Sequence, residues 1–230
     1  MTTPADSPST WGLADAVEAG TAPEIDWIDV PCPRAGLVLT VPRLPLACRV
    51  GDRVLRPSLS YAEQVRVCRA LGCVSPTYEW YLEVWRAAPV KLTPRPLVRT
   101  ASDAAAMGTL GFLARENDAF EAQLAQRAQG LAQPGAFARG FCKLWIVHPK
   151  MADLGRHGAC NVGFRYPNGL EVQSPGGRHN DAHLDYSQWA WDLPRREARD
   201  LAGRPVDLLE RQCTLLPGLA ARLRIEYEVR

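Results

Sequence analysis

Short apolar runs cut by prolines mark the first patterned part of the chain. Trp27-Ile28-Asp29-Val30, Leu37-Val38-Leu39-Thr40-Val41 and Cys48-Arg49-Val50 predict short strands, with the prolines at strand ends or edges. The period then lengthens. Ser60-Tyr61-Ala62-Glu63 fits a capping box, in which Ser60 and Glu63 satisfy each other's backbone donors. Val65, Cys68, Ala70 and Leu71 follow at helical spacing, and Gly72 supplies a left-handed stop. Ser75-Pro76 predicts a second helix, with serine as N-cap and proline in the first helical position. Trp80, Tyr81, Val84 and Trp85 line its face, Pro89 ends it, and the prolines keep Val90 to Pro96 extended. Phe112, Leu113, Phe120, Leu124 and Ala128 predict a longer helix from Leu110 to Gln129, closed by Gly130. Its polar positions, Glu116, Asn117, Asp118, Glu121 and Gln123, read as a solvated face.

After Pro134 the pattern turns to period two. Phe141 to Val147 predicts a strand, and Cys160 to Tyr166 with Leu170 to Gln173 predicts a hairpin around Pro167-Asn168-Gly169. Asp185 to Leu193 fits another strand. Pro194 to Arg211 reads as helix or irregular structure, broken at Gly203-Arg204-Pro205. Arg222 to Val229 alternates strictly, which predicts an edge or surface strand. Residues 1–24, rich in Ala, Thr, Pro and Asp, read as a mobile arm, and residues 25–230 as a single globular domain. Helices come first and strands mostly later, without an internal repeat. That order predicts an α+β fold: an antiparallel or mixed sheet with a helical pair and one longer helix.

Composition narrows the function classes. With 47% apolar residues, the 230-residue chain has ample material for a core. Its formal charge of +2, with no Lys/Arg block, argues against a nucleic-acid partner. Basic residues are arginines except Lys91, Lys143 and Lys150, a bias that reads as genomic composition. The seven cysteines are odd in number and contain no Cys-x-x-Cys pair, which points away from a disulfide framework or structural zinc and toward a reducing compartment. No apolar run approaches the ~18 residues of a membrane span, and no secretory signal stands at the N-terminus. These features predict a cytoplasmic protein with no membrane partner.

Candidate chemistry concentrates in Gly176-Gly177-Arg178-His179-Asn180-Asp181-Ala182-His183-Leu184-Asp185-Tyr186-Ser187. An extended segment would point His179, Asp181, His183 and Asp185 to one side; a helix would put His179 and His183 on one face. Three readings follow. The first is a general acid–base pair, His179 with Asp185 or His183 with Asp181, the carboxylate fixing the imidazole tautomer. The second is a divalent metal site at His179, His183 and Asp185; His183-x-Asp185 is half of a facial triad, yet no histidine lies downstream to complete an oxygenase set. The third is a polar loop whose Asn and Asp side chains satisfy its own backbone.

Further candidates lie around it. Lys143, in an apolar strand, would be costly inside unless paired or functional, and the commoner arrangement faces it to water. Gln173 ends a hairpin strand six residues before His179 and would line the same cleft. Ser187 lacks a Gly-x-Ser-x-Gly elbow. Trp189 and Trp191 would wall a pocket or fill the core. Cys73, just ahead of Ser75-Pro76, would feel a helix dipole as a nucleophile, although most such cysteines are small buried apolar residues.

From about Gly51 to Glu210 the chain resembles a group of uncharacterised bacterial proteins. The resemblance rests on Leu71 to Thr77, Val90 to Pro96, Glu116-Asn117-Asp118, Lys143, Gly163, and above all Gln173, His179 and Asp185-Tyr186-Ser187 at fixed spacing. That pattern carries an aromatic residue where His183 stands and a histidine where Gln188 stands, and it varies at Cys73. It implies a site centred on His179 and Asp185 rather than a metal held by His183. The expectation is a hydrolase-type enzyme acting on a small-molecule amide or peptide-like substrate. His179, Asp185, Lys143 and Ser187 would be catalytic, and Gln173, Tyr186 and Trp189 would bind substrate. The alternatives are a metal-binding protein using His179, His183 and Asp185, and a non-catalytic interaction or assembly protein.

Overall fold

The computed structural model describes residues 12–96, 109–184 and 187–228. Helix α1 (Leu13–Glu18) leads to strands β1 (Trp27–Cys32) and β2 (Leu37–Pro42), then to a ribbon of β3 (Cys48–Val50) and β4 (Arg53–Leu55). The expected helical pair follows as α2 (Tyr61–Leu71) and α3 (Tyr78–Ala87). Strand β5 (Val90–Lys91) precedes the longer helix α4 (Leu110–Gln126) and the single turn α5 (Ala128–Leu131). Strands β6 (Ala138–Arg139) and β7 (Lys143–Ile146), the short α6 (Lys150–Asp153), and strands β8 (Gly158–Arg165) and β9 (Glu171–Asn180) come next. The C-terminal part holds β10 (Glu197–Asp200), β11 (Pro205–Asp207), α7 (Leu208–Leu215), a 3-10 turn (Pro217–Leu219) and α8 (Ala220–Glu228). One antiparallel sheet has the order β1-β2-β10-β11 and another the order β7-β8-β9; the short β5–β6 pair is parallel. The fold is α+β. No described helix is long and apolar enough to cross a membrane.

An apolar core runs from Leu13 through Leu39, Val67, Trp145 and Leu209 to Tyr227. A smaller cluster packs Phe120 of α4 against Phe141, Trp189 and Trp191. Local signals explain the helix ends. Ser60 and Glu63 form the expected capping box, and Gly72 closes α2 at φ 63°. The cap of α3, however, is Thr77, whose hydroxyl accepts the Trp80 N–H. Ser75 is taken by the interior instead: its hydroxyl accepts from Gln64 and Tyr227, and its carbonyl from Gln212.

Several elements differ from the sequence pattern. Residues 222–228 are helical, not a strand. Leu223 and Tyr227, four apart, are the buried pair, while Ile225 is exposed, so the buried face follows the helical period. Residues 197–207 form the β10–β11 hairpin. The arm expected over residues 1–24 contains α1, which buries Leu13, Ala14 and Val17; Arg66 of α2 pairs with Asp15 and Glu18. Residues 1–11 lie outside the described residues. Residues 187–193 form isolated bridges, Ser58 to Trp189 and Lys143 to Gln188, rather than a strand. Glu116 and Asn117 are buried, not solvated: the Asn117 side chain accepts the Arg56 N–H and donates to the Arg56 carbonyl.

One buried ion pair joins distant segments. Arg139 and Asp192 are both essentially inaccessible to solvent, and Arg139 Nε donates to Asp192 Oδ1. The rest of the guanidinium donates to the carbonyls of Pro42, Arg43 and Ala138 and lies over the Phe137 and Trp191 rings. Asp192 adopts φ 53°, a left-handed conformation uncommon outside glycine.

Candidate functional site

The register of β7, β8 and β9 decides which side chains meet. Lys143 lies opposite Gly163, and Trp145 opposite Asn161. Across the other ladder, Gly163 faces Gln173, Asn161 faces Gly176, and Ala159 faces His179. Directly opposed residues share a face, as do residues two apart on one strand. One face therefore collects Lys143, Trp145, Asn161, Gln173 and His179. Two bulges set the seven residues Gln173–His179 of β9 against the five residues Ala159–Gly163 of β8, so Gln173, Gly176 and His179 return to that face at intervals of three. Gly163 makes the close approach possible: at φ 143°, an added Cβ would lie 2.7 Å from the Cys142 carbonyl oxygen.

Strand β9 ends at Asn180, and a turn replaces the extended or helical course expected for this segment. The Ala182 N–H donates to Asn180 Oδ1 at 3.1 Å, and the His183 N–H to the Asn180 carbonyl at 3.1 Å. The turn folds His183 back onto His179, with ring centroids 4.0 Å apart and planes 19° from parallel. Trp145 meets both rings edge-on, at 5.9 and 6.3 Å. The indole is fully buried and anchored by Nε1, which donates to the Leu59 carbonyl at 2.8 Å. Asp181 does not serve His183. It pairs with His157, Nδ1 to Oδ2 at 2.8 Å, while its N–H donates to the His157 carbonyl at 2.7 Å. The ladder simply continues one step past Gly158 and Asn180, which puts residue 157 opposite 181. Asp185 and Tyr186, expected to orient His179 and to bind substrate, lie outside the described residues.

Lys143 points inward, against the commoner expectation of a solvent-facing lysine. Its backbone N–H donates to the Ser187 carbonyl at 2.8 Å, its carbonyl accepts the Trp189 N–H, and Nζ stands 5.5 Å from the Phe164 ring centre. Ser187 is buried beside it and lines a cavity of ≈ 10 Å³ with Glu116, Phe141, Cys142, Phe164 and Trp189, room for about one water. Burial holds the Glu116 carboxyl above its ordinary pKa. Trp189 is packed between Phe120 and Phe141 as core. Lys143 and Gln173 share a row two steps from His179, roughly 13 Å along β8 at about 3.3 Å per residue. They share its face without sharing a contact.

The stacked histidines bear on the metal alternative. Their in-plane nitrogen lone pairs run side by side, whereas ligands of one ion must converge on a point about 2.1 Å from each. Among the described residues no group of three His, Cys, Asp or Glu side chains could hold an ion. Cys73 is no activated nucleophile: it is buried five residues ahead of α3, and burial pushes its thiol up to about 12. Iodoacetamide at pH 8 is expected to leave Cys73 unmodified in the native chain and to label it after unfolding, as read by peptide mass spectrometry; native labelling within minutes would contradict this.

Sequence reasoning missed Asn161 and His157. Asn161 read only as one more strand position, and His157 acquires its partner through the hairpin register. Comparison with protein-family models, with curated proteins and with solved structures finds no match for this chain.

Proposed function

We propose that this chain is a hydrolase-type enzyme for an amide or peptide-like small molecule, with His179 as its acid–base group. The observation that carries this reading is the seating of His179 against Trp145 and His183, on the sheet face that also bears Lys143, Asn161 and Gln173. An imidazole packed by a buried indole is held in one orientation, which acid–base catalysis needs.

In the proposed step His179 removes a proton from water, and the water oxygen bonds to the carbonyl carbon. The same proton passes to the amine nitrogen as the C–N bond breaks. Asp185 orients the imidazole, Tyr186 and Gln173 contact the substrate, and Lys143 with Ser187 supplies polarity at the buried end of the face. Trp189, as core, supports this end from behind.

The test is a panel of N-acyl amides and dipeptides. Turnover of at least one is expected, and His179→Ala should lower kcat by about 10²- to 10⁴-fold with the far-UV circular dichroism spectrum retained. A folded His179→Ala protein with full activity would refute the assignment.

A further inference from the structure

Asn161 is fully buried at the centre of the candidate site, and only half of its amide is used. Its Oδ1 accepts a hydrogen bond from Gln173 Nε2 at 2.6 Å. Its Nδ2 has no hydrogen-bond partner among the described residues. A buried N–H donor without an acceptor is unfavourable, and native chains retain few of them. A donor kept in this condition suits an acceptor that arrives from outside.

The half-buried surroundings of this residue are those on β9. Gly176 stands opposite Asn161 on β9, and an added Cβ there would lie 3.7 Å from both Asn161 Oδ1 and Gln173 Nε2. The glycine thus leaves room for a methyl group beside the Asn161 Oδ1–Gln173 Nε2 contact. Gly176 and Gln173 are half-buried and Asn161 is fully buried, so a ligand would reach Asn161 past these two residues. The next row of the face is Ala159 and His179, two residues along β8, about 7 Å away.

We propose that Asn161 is a substrate-binding residue of this site. Its Nδ2 donates to the carbonyl oxygen of an amide ligand arriving on the Gly176 side, and Gln173, besides its own contact with the substrate, fixes the plane of the Asn161 amide. This rests on the reading of the same face as an amide-hydrolase site, and it adds the group that recognises the carbonyl.

The test uses the full chain labelled with nitrogen-15, N-methylacetamide as the amide probe and acetate as the carboxylate probe. The expected result is a saturable shift of the Asn161 side-chain amide resonances with N-methylacetamide. Asn161→Leu should raise its apparent Kd about tenfold or more, and Gln173→Leu should weaken binding in the same direction. Gly176→Ala makes only ordinary van der Waals contacts, so it should fold with an unchanged thermal midpoint and still lose the shift. A shift produced by acetate alone would overturn the assignment to an amide carbonyl. No saturable shift, or a resident water giving cross-peaks to the Asn161 amide that no probe displaces, would overturn the binding role. Titrating His179→Ala separates the two readings: loss of turnover with retained binding is expected, and full turnover refutes the acid–base role while leaving the Asn161 result standing.

Discussion

Asp192→Asn is expected to lower the unfolding free energy by about 3–5 kcal/mol, read as a lower urea midpoint at unchanged slope. The substitution keeps an oxygen near Arg139 and a side chain that tolerates the left-handed backbone at φ 53°, so it isolates the charge. What remains is a guanidinium with three carbonyl partners and no counter-ion, deep in the interior. Burial drives both groups toward neutrality: it raises the Asp192 carboxyl and lowers the Arg139 guanidinium from their ordinary values, and their mutual contact is the main effect opposing this. Joint replacement, Arg139→Met with Asp192→Leu, should recover much of the loss, because a well-packed apolar pair avoids the desolvation of two ions. A loss below about 1 kcal/mol for Asp192→Asn would mean that the pair does not hold β6 against the segment after Trp191.

Trp145→Ala carries the second large effect, about 3–5 kcal/mol from lost burial and the cavity left behind. The indole is fully enclosed, meets Tyr61 edge-on at 6.2 Å and closes the Leu59 carbonyl with its N–H. Trp145→Phe keeps a ring in place and should cost less, about 1–3 kcal/mol, mostly through the unsatisfied Leu59 carbonyl. The alanine variant should also release the stacked histidines. In proton NMR the His179 and His183 ring signals, shifted by the neighbouring indole, should move to free-histidine positions. Alanine variant signals that stay in place would show that the stack holds itself.

Much of this fold could be read in the chain because its signals are local. The Ser60/Glu63 box and the Gly72 stop lie within single turns of helix, and the Pro167-Asn168-Gly169 turn joins strands that follow directly. The α8 misreading shows where pattern alone fails. Leu223 and Tyr227 fit a period of two and a spacing of four equally well, and their burial partners lie far off in the chain: Tyr227 bonds Ser75, 152 residues away. Arg139 and Asp192 are 53 residues apart and carry no mark of each other in the sequence. Of the candidate site, His179 is marked by local composition and Gln173 by its place at the end of a strand, and the inward course of Lys143 follows from its ladder with Gly163. The partner of Asp181 was misjudged because chain proximity favoured His183, whereas strand pairing delivered His157.

The bulged course of β9 also constrains how this chain can change over time. Residues 173, 176 and 179 reach one surface only because the strand absorbs a surplus residue in each interval. Loss of one codon within an interval would remove its surplus residue and restore the ordinary two-residue alternation, which keeps both side chains on this surface, whereas gain of one codon there would turn the histidine or the glutamine to the far side of the sheet unless a second surplus residue were absorbed. Descendants of this gene that keep the site should therefore shorten either interval by one residue more readily than lengthen it, and should keep a small residue at Gly177, where an added Cβ would lie 2.8 Å from the Leu154 side chain.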